Sequence, residues 1–471
     1  MLLARPFPKK QAAPVRRRYI AIAYVAIFIV LGAALLLQTP RELRGVWQTD
    51  GYGRVIEIGR YRIAVYDITQ STCALSFQTR ASRLFLSQWH LKVGEDRATM
   101  RIRARQDPHL IRANRLSDLP NRCLAQQPAT PAEVFAAFTE GMDTHYAFFD
   151  RYNVNWPVRV TLARDKISLD MTENDLFEIM AHMLDGIADG HVYLRGDPGG
   201  LERVILPGRS QIAKEVLHQR KSGQLPDDFR FMRTYWNEWV LWDILKGQGT
   251  LQANGLVAWG TLADGTGYLA IRRLHGFARA DNQAMAALEQ AMEKAMREFA
   301  LAGTDSIILD LAANPGGSDH FAQAVAGRFT NTPFVAYEKY AADARAPIHT
   351  TATVTPSNGT RFTGSVYMLT SQLTGSAAEI LTIAMRQIPT VVHMGEVTGG
   401  SLSDVLDRTL PNGWTIGISN EVYRDPDGQS WEGRGIPPDH RLQVFDPQNL
   451  TAGHSAAIRE IQRFAAARQK E

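Results

Sequence analysis

The sequence predicts an α/β core with a helical cap, preceded by a small β-rich domain and an N-terminal transmembrane helix. Three observations carry this expectation. A short apolar run, a glycine-bearing turn and a helical stretch follow one another twice, once around Asn314-Pro315-Gly316-Gly317 and once around Gly375-Ser376-Ala377-Ala378-Glu379. From Gly45 to Cys123, alternating runs such as Val55-Ile56-Glu57-Ile58 are broken by glycine and polar turns, as in a meander or small barrel. Residues 19–37 form an uncharged apolar run long enough, at about 1.5 Å per residue, to cross a bilayer core.

The chain divides in order. Residues 1–18 are a basic tail with Arg5, Lys9, Lys10, Arg16, Arg17 and Arg18 and no acid, so the positive-inside rule puts this tail in the cytoplasm. Residues 19–37 read as an uncleaved signal anchor. A cleaved signal peptide is the competing reading, but no clear Ala-x-Ala site follows Leu37. The expected location is the cell inner membrane, single-pass, with the bulk of the chain on the periplasmic or extracytoplasmic side. Residues 44–125 form the β-rich domain. Cys73 and Cys123 are the only cysteines of the chain and in an exported protein are expected to pair, the alternative being two buried thiols. Residues 131–196 form the helical cap. Residues 197–266 read as a helical insert, with Trp236, Trp239 and Trp242 at a spacing that more often marks core than a ligand site. Residues 267–445 are the α/β core and 446–471 a C-terminal helix.

Formal charge is +4, and without the six cations of the tail it falls to −2. Lysine and arginine elsewhere are interspersed with acids, so no nucleic-acid footprint is indicated. There is no His-x-x-x-His or Cys-x-x-Cys pair and no glycine-rich phosphate loop, so neither a metal nor a cofactor is expected.

Ser376 stands at a strand-to-helix turn, where free N–H groups and the helix dipole stabilise negative charge. It can also be read as an N-cap, with Glu379 completing a Ser-x-x-Glu capping box. The paired glycines allow close backbone approach, so the N–H of Gly316 or Gly317 could join that of Ala377 in an oxyanion hole. His191 follows the helix-ending Asp189-Gly190 and reads locally as a C-terminal capping group, and Glu432 as a solvated loop carboxylate.

As an ordered set the motifs are more specific. Gly267-Tyr268-Leu269-Ala270-Ile271, Leu309-Asp310-Leu311-Ala312-Ala313-Asn314-Pro315-Gly316-Gly317, Ser376-Ala377-Ala378-Glu379, Gly395-Glu396-Val397-Thr398-Gly399-Gly400 and Gly433-Arg434-Gly435-Ile436-Pro437-Pro438-Asp439 together resemble the tail-specific and tricorn-type serine peptidases, the family of the C-terminal processing peptidases. Asp189-Gly190-His191-Val192 is similar to part of that family's N-terminal cap. The resemblance implies a crotonase-like core, a polypeptide substrate and one of two catalytic arrangements. In the Ser–Lys branch a lysine fills the slot held here by Ser401, and the only lysine after Ser376 is Lys470, so the resemblance favours the tricorn-like branch without a PDZ domain. It then implies Ser376 as nucleophile, His191 as general base and Glu432 as the group that orients the imidazole, with Ser401 as a possible relay. Two departures stand out: Gly190 where tricorn has serine, and Ala312 where the family usually has arginine. They leave open a catalytically inactive, ligand-binding scaffold, and a serine esterase is a third reading. The sequence assigns no oligomeric state.

Overall fold

Period-two runs rich in β-branched and aromatic residues build the first domain as a seven-stranded antiparallel sheet. Its spatial order is Cys73–Arg80, Arg62–Ile68, Arg54–Ile58, Gly45–Thr49, Ile111–Leu116, Thr99–Ala104, Trp89–Val93. The computed structural model describes residues 38–80, 83–104, 109–124, 129–208, 235–445 and 453–468. The tail 1–18 and the apolar run 19–37 lie outside the described residues, among which no helix is long and apolar enough to cross a membrane. Trp47, Ile58, Ile63, Met100 and Ile102 bury in one cluster, and Val55, Ala64, Tyr66 and Ile68 in another. Cys73 and Cys123 are joined in a disulfide that packs beside the second cluster.

The turn between Gly45–Thr49 and Arg54–Ile58 reaches into the rest of the molecule. Tyr52 at its tip has a φ of 64°, flanked by two glycines. Its N–H donates to Asp343 Oδ2 at 2.7 Å, and its carbonyl accepts from Arg408 Nη1 at 2.8 Å. A Cβ on Gly53 would stand 2.4 Å from both the Arg408 guanidinium and the His145 ring, so glycine is required for this docking.

Three helices make the cap. Pro131–His145 and Glu173–Met183 each start with a complete capping box, Thr130 with Glu133 and Thr172 with Asp175, and Trp156–Arg164 lies between them. Their apolar faces meet through Phe138, Trp156, Phe177 and Met180. The strand after the cap, Tyr193–Gly196, pairs antiparallel with Thr415–Ser419, which ties the cap to the C-terminal third of the chain.

The core sheet runs in the order Thr250–Gln252, Val257–Thr261, Gly267–Ile271, Ser306–Asp310, Ser365–Thr370, Val391–Gly395, His440–Arg441. Its strands from Gly267–Ile271 onward are parallel, with helices Asp281–Leu301, Asp319–Ala326 and Ala377–Arg386 interleaved in sequence. Because Ser306–Asp310 and Ser365–Thr370 are parallel neighbours, the turns that follow them emerge side by side at one sheet edge.

The stretch 197–266 departs from the helical reading. Among its described residues it holds strands Arg203–Ile205, Thr250–Gln252 and Val257–Thr261, so the core sheet begins at residue 250; besides a short 3-10 turn at Pro198–Gly200, its helix Tyr235–Ile244 is wound as a π-helix. That wider winding breaks the tryptophan stripe: Trp236 and Trp239 are buried and Trp242 is exposed. The C-terminal helix Gly453–Arg468 packs Ile458 and Ile461 into the cluster that contains Tyr235, Trp236 and Trp239.

Candidate active site

Ser376 is held in an unusual backbone conformation, φ 53° and ψ −131°, at the entry to helix Ala377–Arg386. A non-glycine residue there stores about 1–3 kcal/mol of strain, of the kind found where a side chain is aimed at a reacting group. Its side chain makes no capping bond to the helix. Glu379 does not complete a capping box. Its Oε1 accepts from Thr398 Oγ1 at 2.5 Å and Gly400 N–H at 2.7 Å, and its Oε2 from Ser401 N–H at 2.8 Å. The Ser376 N–H donates to the Ser401 carbonyl at 2.9 Å, and the Ser376 hydroxyl is free of helix capping. Burial raises the Glu379 carboxyl to about 7.

The glycine turn lies against this serine. A Cβ on Gly316, whose φ is 100°, would meet Ser376 Cβ at 2.5 Å and Ala377 N at 2.8 Å, so only glycine allows the approach. The Gly316 N–H is already donated to Asn314 Oδ1 at 2.9 Å, while Asn314 Nδ2 donates to Ile271 O at 2.9 Å. The Gly316 carbonyl accepts from Leu274 N–H at 2.7 Å. Among the described residues the N–H groups of Gly317 and Ala377 have no acceptor, which makes them, rather than Gly316, the donors available to an anion at Ser376.

Ser401 joins the serine turn to the histidine loop. Its carbonyl accepts from Ser376 N–H at 2.9 Å, and its Oγ accepts from Gly190 N–H at 3.2 Å. A Cβ on residue 190 would stand 2.5 Å from that Oγ, so Gly190 and Ser401 are complementary. The hydroxyl of Ser401 occupies the place where a side chain at 190 would begin.

His191 is partly buried beside Asp189, a fully buried residue whose sequence position suggested only a helix end. Asp189 Oδ1 accepts from His191 N–H at 2.9 Å and Ser419 Oγ at 3.1 Å, and its Oδ2 from Tyr146 Oη at 3.1 Å. Burial holds the imidazole below its ordinary range, opposed by the charges of Asp189 and Asp404 and by the Ser403 backbone. The ring is therefore neutral at neutral pH, with a lone pair able to accept a proton.

Glu432 is buried, not a solvated loop carboxylate. Its Oε2 accepts from Leu402 and Ser403 N–H groups, both at 2.8 Å, so it fixes the backbone that borders His191. Burial, then the charge of Asp189, pushes its carboxyl well above the usual range. Glu432 Oε1, His191 Nδ1 and the hydroxyl of Tyr152 are buried polar atoms without a hydrogen-bond partner among the described residues. Tyr152 belongs to this neighbourhood, its hydroxyl 3.0 Å from where a Cβ of Gly433 would stand.

A lysine does lie nearby, but not as a base. Lys339 is buried with Nζ 2.8 Å from Asp404 Oδ2 and 3.2 Å from Glu421 Oε2, and these charges hold its ammonium well above the usual range. Ala312 is buried, with its N–H on Asp310 Oδ1 at 2.9 Å and its carbonyl accepting from Ser371 Oγ at 2.5 Å. Asp310 Oδ2 is instead satisfied by Tyr268, Tyr235 and His454. No group of three or more metal-ligating side chains occurs among the described residues.

Residues 265–442 match the model of peptidase family S41. This stretch is a peptidase family S41 core. The S41 core is that of a serine peptidase, and it contains Ser376, both glycines, Ala377, Ser401 and Glu432, whereas His191 lies before it. The fold is similar to that of a candidate peptidase from Parabacteroides merdae, at 21% identity and TM-score 0.56, over 71% of this chain and 96% of that one. It is also similar to mature CPAF complexed with lactacystin, at 11% identity and TM-score 0.51, over 71% of this chain and 98% of that one.

Proposed function

We propose that the chain is a membrane-anchored serine endopeptidase working outside the cytoplasm, with Ser376 as nucleophile and His191 as general base. The observation that carries this reading is the Ser376 turn: a strained serine freed from helix capping, pressed against Gly316, with the N–H groups of Gly317 and Ala377 open. In the reaction Ser376 Oγ attacks the peptide carbonyl carbon and its proton passes to His191. The two N–H groups stabilise the oxyanion as it forms. The imidazolium returns the proton to the leaving amine as the C–N bond breaks, and water, deprotonated by His191, then cleaves the acyl ester and restores Ser376.

Glu432 acts in this scheme as a positioning residue through the Leu402 and Ser403 N–H groups. Ser401 supports the relay reading to the extent that its hydroxyl stands at the position a residue-190 side chain would take. Placement outside the cytoplasm rests on the apolar run 19–37 behind a basic tail, and the Cys73–Cys123 disulfide is compatible with an oxidising compartment. The test is labelling of the full chain in detergent with a fluorophosphonate, followed by casein cleavage. Wild type should label and cleave, and Ser376→Ala and His191→Ala should do neither. Well-folded wild type that does not label refutes the assignment.

A further inference from the structure

The hairpin tip of the N-terminal domain ends in a buried chain of charged groups that leads to the catalytic histidine. The Tyr52 hydroxyl donates to Glu421 Oε1 at 2.6 Å and also contacts His109 Nε2. Glu421 Oε2 lies 3.2 Å from Lys339 Nζ, which donates to Asp404 Oδ2 at 2.8 Å and to Tyr423 Oη at 2.9 Å. Asp319 stands 3.8 Å from the same ammonium and accepts from Tyr423 and Tyr337 at 2.9 Å each. Asp404 belongs to the loop whose Ser401 hydroxyl accepts from Gly190 N–H, one residue before His191. The Ser403 hydroxyl accepts from Glu421 N–H at 3.0 Å, which fastens the two ends of the chain together.

One ammonium is thus shared among three carboxylates, and its division between Glu421 and Asp404 governs the Asp404 charge that favours the imidazolium of His191 on the neighbouring loop. We propose that Tyr52 is a positioning residue for the peptidase site: by satisfying Glu421 it leaves Lys339 on Asp404, which makes the N-terminal β domain a working part of the catalytic unit. The inference rests on the assignment of His191 as the base. Besides Asp404, the groups around His191 are Asp189 on its own loop, Glu432 through Ser403, and the hydroxyls of Tyr146 and Tyr152 near Asp189.

The signs follow from where the ammonium goes. Without the Tyr52 hydroxyl, Glu421 draws Lys339 away from Asp404, the less compensated Asp404 favours the imidazolium, and the acid limb of activity moves to higher pH. Removing the Asp404 charge moves that limb to lower pH. Neutralising Glu421 leaves Lys339 to Asp404 and also lowers it.

The experiment measures the rate constant of fluorophosphonate labelling from pH 5 to 9 for the full chain and for Tyr52→Phe, Asp404→Asn, Glu421→Gln and the Tyr52→Phe/Asp404→Asn double variant. The expected acid-limb shift is about half a pH unit upward for Y52F and downward for D404N and E421Q, with Y52F adding nothing in the D404N background. A Y52F profile that superimposes on wild type, or a Y52F shift that persists in the double variant, overturns the proposal. Should Y52F fail to fold, an upward or absent shift in E421Q overturns it equally. Wild type that does not label overturns the underlying assignment of Ser376 and His191 instead, and is told apart because no variant is then needed to see it.

Discussion

Replacing Glu379 by glutamine should abolish a pH dependence of stability that its environment creates. The side chain is fully buried, and burial lifts its carboxyl from 4.5 to about 7. Between those values the folded chain holds a proton there and the unfolded chain does not. Folding then takes up a proton, and stability falls as pH rises through the window. The gap corresponds to about 3 kcal/mol, absent below pH 4.5 and fully developed above about pH 7. Glutamine keeps an oxygen for Thr398 Oγ1 and Gly400 N–H but sets an amide against Ser401 N–H, costing about 1–3 kcal/mol at every pH. Urea unfolding followed by tryptophan fluorescence at steps from pH 4.5 to 8 separates the two effects. The stability of wild type minus that of Glu379→Gln should fall by about 3 kcal/mol across the window. Two parallel profiles would refute the argument that burial controls this carboxyl. The ionised form is the one that accepts all three donors, so wild type trades stability for a fixed Ser401 loop as pH rises.

Ser376→Gly should raise stability by about 1 kcal/mol, read as a higher Tm, while eliminating fluorophosphonate labelling, because it relieves the positive φ and removes the proposed nucleophile. Gly190→Ser should slow labelling through its clash with the Ser401 hydroxyl, and adding Ser401→Gly should restore part of the rate; a double variant no faster than the single one would count against the complementarity of these positions. Reducing the Cys73–Cys123 disulfide, which spans 50 residues, should cost up to about 4 kcal/mol by chain entropy, measured by urea unfolding with and without reductant.

What the sequence reveals of the site is what it encodes locally. The Ser376 turn and the paired glycines are contiguous motifs between an apolar strand and a helix, and the structure has them at one sheet edge because parallel neighbours emit their turns together. Where a local rule met a stronger buried partner, the rule failed. Ser-x-x-Glu predicts a capping box, but three donors on the 398–401 loop take Glu379. The Gly316 N–H, a plausible oxyanion donor by position, closes instead on Asn314 two residues back. The three-residue tryptophan spacing assumes α-helical winding and breaks in a π-helix. Asp189 had a legible signal, since it lies two residues before His191. The Tyr52–Glu421–Lys339–Asp404 chain had none, because its members come from separate segments and meet only after the domains dock.

The pairing of Tyr193–Gly196 with Thr415–Ser419 has a consequence for biogenesis. The loop that carries His191 is synthesised early, yet its seat is a strand more than 200 residues later, and the buried acid that braces it is Glu432. In a nascent chain threaded N-terminus first, the His191 loop therefore lacks its seat until nearly all of the chain has emerged. On the proposed assignment, such late completion leaves the Ser376 turn, which forms from contiguous sequence, without its base while the chain is being made.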